Sequence, residues 1–320
     1  MSARAIAGCL LLASCGYGPP LTLACQDVAQ ARCAKRASCS DGGSIVMIFG
    51  DQQTCLQREQ LACMLQSQAP GVNAAPLALE ACAIAFEQVT CADFFATRIP
   101  AACPAVGTRA MGAPCAYDPQ CASGYCGASK TAVCGACAAP PVAGAPCVSS
   151  NCARGFQCPP RTFTCADVPL QGMPCDLSAM PCGADLACVS VNGAAPTCEP
   201  ALGLGAPCGG ALGNCDTTRG LVCDGISAST RACRPLPFLG DGKPCGILPN
   251  GTIASCAAGG CYGDAGVAPV GESGACKANA ADGQPCDATL GPECVHPARC
   301  IVTGGSTAGI CTLPSPASCG

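Results

Sequence analysis

Six times between residues 112 and 286 the chain spells Gly-x-Pro-Cys: Gly112-Ala-Pro-Cys115, Gly144-Ala-Pro-Cys147, Gly172-Met-Pro-Cys175, Gly205-Ala-Pro-Cys208, Gly242-Lys-Pro-Cys245 and Gly283-Gln-Pro-Cys286. Successive opening cysteines stand 32, 28, 33, 37 and 41 residues apart. A motif returning at that spacing marks a tandem array of small units, not one large core. A unit of about 30 residues cannot bury enough apolar surface to offset its conformational entropy, so something other than a core must hold it. Cysteine is the available material. The chain carries 36 cysteines in 320 residues, above the roughly 8–10% that marks a disulfide scaffold, and this number of thiols implies an oxidising compartment.

Each opening cysteine is grouped with three that follow it. Block I takes Cys115, Cys121, Cys126 and Cys134; block II, Cys147, Cys152, Cys158 and Cys165; block III, Cys175, Cys182, Cys188 and Cys198. Block IV takes Cys208, Cys215, Cys223 and Cys233; block V, Cys245, Cys256, Cys261 and Cys276; block VI, Cys286, Cys294, Cys300 and Cys311. Four cysteines allow three connectivities, and spacing does not choose among them. The third cysteine often follows a Gly and a large apolar residue, as in Gly124-Tyr125-Cys126, Gly155-Phe156-Gln-Cys158 and Gly220-Leu221-Val-Cys223. That pattern predicts a turn leading into a short strand, hence short β hairpins with little other regular structure. Cys137 and Cys319 are left over. Joining them would require the array to close on itself, so local pairing or free thiols are expected, with each block touching mainly its neighbours.

Residues 25–105 have a different texture. Gln26 to Arg36 lacks Gly and Pro and consists largely of helix formers. Asp51 is placed to cap a second helix over Gln52–Gln66, stopped by Pro70-Gly71, and Pro76 suits the first turn of a third running toward Val89. Cys25 and Cys33, like Cys55 and Cys63, are eight residues apart, which puts each pair about 80° apart on one helix face. Cys82 and Cys91 are nine apart, so either the third helix ends before Cys91 or the two serve different partners. A three-helix unit stapled by these six together with Cys39 and Cys103 is expected ahead of the repeats, which fill residues 106–320.

The first residues read as an address. Arg4 precedes an apolar run from Ala5 to Ala13, and Leu12-Ala13-Ser14-Cys15 resembles the lipobox of bacterial lipoproteins. The resemblance implies a signal peptide over residues 1–14, a lipidated Cys15 as the mature N-terminus, and a tether over residues 15–24 holding the protein on a membrane. Loss of Cys9 with the leader and of Cys15 to lipid leaves 34 of the 36 cysteines, an even number that allows complete pairing. The stretch Cys115-Ala-Tyr-Asp-Pro-Gln-Cys121-Ala-Ser-Gly-Tyr-Cys126 resembles the cysteine-rich module of Dickkopf proteins. Lipobox, helical cysteine-rich segment and tandem Gly-x-Pro-Cys blocks together resemble the Dickkopf-like Cys-rich lipoproteins of myxobacteria, a family mostly without assigned function.

Ordinary catalytic equipment is sparse. The single histidine, His296, lies between Cys294 and Cys300 and is read as a surface loop residue. Cys134-Gly-Ala-Cys137 has redox or half-zinc spacing, but no second such pair completes a four-cysteine site, so it is read as structural. Export would oxidise the thiols that metal storage needs, which makes a metal-thiolate store the weaker use of these cysteines. No cofactor is implied. A formal charge of −4 argues against nucleic acid as a partner. These readings converge on a non-enzymatic lipoprotein of the bacterial cell envelope, at the outer membrane or cell surface, whose array presents a surface to a protein or glycan ligand. A secreted inhibitor or ligand-sequestering module is the alternative.

Overall fold

A computed structural model of the protein describes residues 18–319, apart from positions 105, 130, 148–151, 154, 159–162, 177–181, 184, 191–193, 210–211, 225–230, 250–251, 264–265 and 268–272. Five helices come first: α1 (Leu21–Cys39), α2 (Gly43–Phe49), α3 (Gln52–Ser67), α4 (Pro76–Gln88) and α5 (Cys91–Phe95). The Asp51 carboxylate accepts from the Thr54 amide at 2.7 Å to start α3, and Pro76 opens α4 where its missing N–H has no role to fill. Helix α1 lies between α3 and α4, and its Ala24 and Val28 form one buried cluster with Leu79 and Ala83 of α4. Antiparallel α1 and α3 carry cysteines at matching eight-residue intervals, and these meet as Cys25–Cys63 and Cys33–Cys55. Helix α4 ends before Cys91, so Cys82 pairs with Cys103 while Cys91 reaches Cys39.

Two expectations are corrected here. Helix α1 starts at Leu21, inside the segment read as tether, because Leu21 and Ala24 pack on the apolar cluster and extend the buried face by a turn. The unit also has five helices instead of three. Gly43-Ser-Ile-Val-Met-Ile-Phe49 is rich in β-branched residues and flanked by glycines, yet it coils because Ile45 and Phe49 bury against the Cys33–Cys55 bridge.

The six blocks share one construction, and its connectivity is uniform: first cysteine to third, second to fourth. Block II, for example, joins Cys147–Cys158 and Cys152–Cys165, and block IV joins Cys208–Cys223 and Cys215–Cys233. Blocks III, V and VI repeat the pattern through Cys175–Cys188 and Cys182–Cys198, Cys245–Cys261 and Cys256–Cys276, and Cys286–Cys300 and Cys294–Cys311. Third and fourth cysteines face each other across a hairpin, as with Cys188 and Cys198 or Cys300 and Cys311. Their side chains therefore leave the same face of the pleat. Each is met by one cysteine of the incoming segment, and the two bonds stack with three of their sulfurs within 4.8 Å of one another, as at Cys208, Cys215 and Cys233. These stacked bridges are the core of the unit.

The opening glycine has a backbone reason. Gly112, Gly144, Gly172, Gly205, Gly242 and Gly283 all take positive φ, from 70° to 82°. In each block the residue after the glycine donates to the carbonyl three positions back, as Ala206 does to Gly203, which closes a β-turn whose third position needs that φ. The glycine amide then donates to the carbonyl of the block's fourth cysteine, at 2.7–2.9 Å in all six copies. In block I that fourth cysteine is Cys137, not Cys134. Gly112 N donates to Cys137 O, and the bonds are Cys115–Cys126 and Cys121–Cys137. Cys134 pairs with Cys319 across 185 residues.

The array therefore closes on its own start, contrary to expectation, and it does so around the helices. Gly220 of block IV lies against Gly43 at the start of α2, and Ala258 of block V donates to Val46 O at 2.9 Å. Arg58 of α3 grips block VI through the carbonyls of Val295 and His296 and makes a bidentate pair at 2.7 and 2.8 Å with Asp282, the residue just before the block. Block VI then meets block I: Arg299 donates to the carbonyls of Ala116, Ala132 and Val133, and Tyr117 Oη donates to Pro314 O at 2.6 Å. Gln120, fully buried, completes the circuit. Its Oε1 accepts from the Ala116 and Tyr117 amides, and its Nε2 donates to Pro70 O beyond α3.

Candidate functional site

Of the residues singled out from sequence, the cysteines from Cys25 to Cys319 all sit in 17 disulfides, while Cys15 lies outside the described residues. The two cysteines of Cys134-Gly-Ala-Cys137 bond to different partners, not to each other. The cysteine triads close enough to hold a metal belong to the stacked bridges, and each of their sulfurs is already in a disulfide, as at Cys115, Cys121 and Cys137. Within the described residues no helix is long and apolar enough to cross a membrane.

Two adjoining hollows open where the array closes on the helices. The smaller, of about 130 Å³, lies over α1, α3 and α4 and is walled by Pro104, Pro119 and His296. At its base Glu59 is buried, with Oε2 3.0 Å from Arg32 Nε. The pairing is Coulombic and not a directed hydrogen bond, since the buried Nε finds no acceptor at a suitable angle. His296 is an exposed loop residue, as expected, and it lines the hollow over α1, α3 and α4. Loss of solvation holds its pKa below 6.5; Glu59 opposes this, and Arg32, Arg58 and Arg36 add to it.

The larger hollow is an open cleft of about 640 Å³ between α1, α4, α5 and blocks I, II and VI. Arg32, Arg36, Arg98 and Arg299 line it, along with Phe86, Phe94 and Tyr125, and Asp118 is its only carboxylate among the described residues. The four cations have different partners. Arg32 faces Glu59, Arg98 pairs with Asp93 at 2.8 Å, and Arg299 is spent on three backbone carbonyls. Arg36 lies over two aromatic rings, 5.9 Å from the Phe49 centroid and 5.3 Å from that of Phe94, and no carboxylate of the described residues pairs with it. Burial lowers its pKa, and Glu59 pulls the other way.

No family model, curated protein or solved structure matches this chain.

The cleft was not legible from sequence because its parts are scattered over residues 32–299. One signal was visible. Arg32 and Arg36 stand one turn apart on α1, a like-charge spacing that weakens an isolated helix. Such a pair on a face that is otherwise built to pack calls for an explanation.

Proposed function

We propose that the protein is a lipid-anchored, non-enzymatic component of the bacterial cell envelope, akin to the Dickkopf-like Cys-rich lipoproteins, whose disulfide array is a rigid surface for recognition or adhesion. The observation that carries this reading is the complete pairing of every described cysteine. Such a framework forms and persists in an oxidising compartment, beyond a bacterial cytosol. The Leu12-Ala13-Ser14-Cys15 sequence ahead of it supplies the route and the anchor. Several acyl chains on one cysteine, at roughly 0.8 kcal/mol per buried methylene, hold a protein stably on a membrane. The cleft supports recognition in particular, because guanidinium groups and aromatic rings fixed by bridged walls are binding groups whose ordering cost is met before a ligand arrives.

Metabolic labelling with a palmitate analogue tests the anchor. The wild-type protein takes up label and stays with membranes, and Cys15→Ala is unlabelled and released. Label persisting in the variant would remove the anchor from this account.

A further inference from the structure

The cleft has a charge imbalance inside a chain that is acidic overall. Its lining contributes four guanidinium groups and one carboxylate, and two further carboxylates, Glu59 and Asp93, hold Arg32 and Arg98. One positive charge remains over, and geometry assigns it to Arg36. Its guanidinium lies over the rings of Phe49 and Phe94 instead of against an acid. A cation drawn partly out of water without a counter-ion costs free energy that a cleft of purely structural purpose would avoid. Placed over two rings, the group still has its planar donors to offer, which suits bidentate capture of a carboxylate. Phe86 and Tyr125 extend the aromatic surface along the same cleft. A volume of about 640 Å³ lies within the roughly 300–1,000 Å³ usual for small-molecule sites.

We propose that this cleft binds a small organic monoanion, with a carboxylate on Arg36 and an aromatic or similarly flat apolar body against Phe94 and Tyr125. A carboxylate is preferred to a phosphate because the surplus is a single charge on a planar donor. The proposal names a ligand for the recognition surface but does not depend on the lipid anchor, since the site is formed wholly by residues after Cys25.

The test uses the purified, fully oxidised chain and 4-fluorophenylacetate, followed by ligand-observed fluorine NMR. We expect saturable broadening that is lost for the neutral 4-fluorobenzyl alcohol and is displaced by phenylacetate but not by equimolar inorganic phosphate. Arg36→Gln should weaken binding on the order of tenfold or more, the scale of a lost charged hydrogen bond. Arg234→Gln, outside the cleft, should leave it unchanged. Because Arg36→Gln could disturb α1, Ser129→Phe gives an independent reading. It fills the cleft from an exposed position on the block I wall, and it should also abolish binding while the disulfide-linked mass and the helical circular dichroism stay those of wild type. Absence of binding up to about 10 mM, equal binding of the neutral analogue, stronger competition by phosphate, or undiminished binding by either cleft variant would each overturn the proposal. Each of these outcomes leaves the palmitate result untouched.

Discussion

Gly205 shows how much of a block rests on one backbone angle. Its φ is +78°, and a Cβ placed on it would meet nothing within 4 Å, so space is not what the position demands. Handedness is the constraint: an L side chain in that region costs roughly 1–2 kcal/mol. Gly205→Ala should therefore loosen the turn that presents Ala206 O to the Cys233 amide, and hydrogen exchange at that amide should accelerate on the order of tenfold. Gly203 is the built-in control, because it too has open space around its Cα but no positive φ. Gly203→Ala should change exchange little. Equal acceleration by both substitutions would show that the glycines serve a purpose other than backbone handedness.

At the scale of elements, the docking of block VI onto α3 sets an exposed titratable group at the edge of a hollow where charge is disfavoured. With its folded pKa below the unfolded value of 6.5, His296 binds fewer protons in the native state than in the unfolded chain through the interval between the two values. Its contribution is therefore full above that interval and is lost as the pH falls through it. The unfolding midpoint should drop as the pH falls below about 6.5, and His296→Gln should reduce that drop while leaving the carboxylate contributions common to both proteins. Identical pH profiles would mean that the ring is freely solvated at the seam.

The same scale shows what the sequence could disclose. The eight-residue cysteine intervals on α1 and α3, the Asp51 cap and Pro76 are local signals, and the helices they announce are present. Helix α2 was hidden because its β-branched composition opposes its conformation, and burial against Cys33–Cys55 decides the matter. The fourth cysteine of block I was hidden for another reason. Cys134 and Cys137 stand 8 and 11 residues after Cys126, and the other blocks span 7 to 15 at that step, so only the turn bond from Gly112 to Cys137 separates them.

The molecule as a whole is a closed array and not an open string of blocks. Blocks IV, V, VI and I all touch the helical unit, and block VI returns to block I through Arg299, Tyr117 and the Cys134–Cys319 bond. Block VI is accordingly no removable end unit: cutting the chain at Gly283 would take from Arg58 of α3 the Val295 and His296 carbonyls it holds and leave Cys134 without Cys319. Loop closure also explains why this link was out of reach from spacing. The chain-entropy cost of closing a loop grows only logarithmically with its length, so nothing local penalises or announces a bond spanning 185 residues. The most direct test of this closed architecture is a non-reducing peptide map of the mature protein by mass spectrometry, digested at low pH to prevent exchange. It should find first-to-third and second-to-fourth pairs in every block, and a peptide holding Cys134 linked to the one holding Cys319. Finding Cys134 paired with Cys121 or Cys126, or Cys319 as a free thiol, would contradict the closed array.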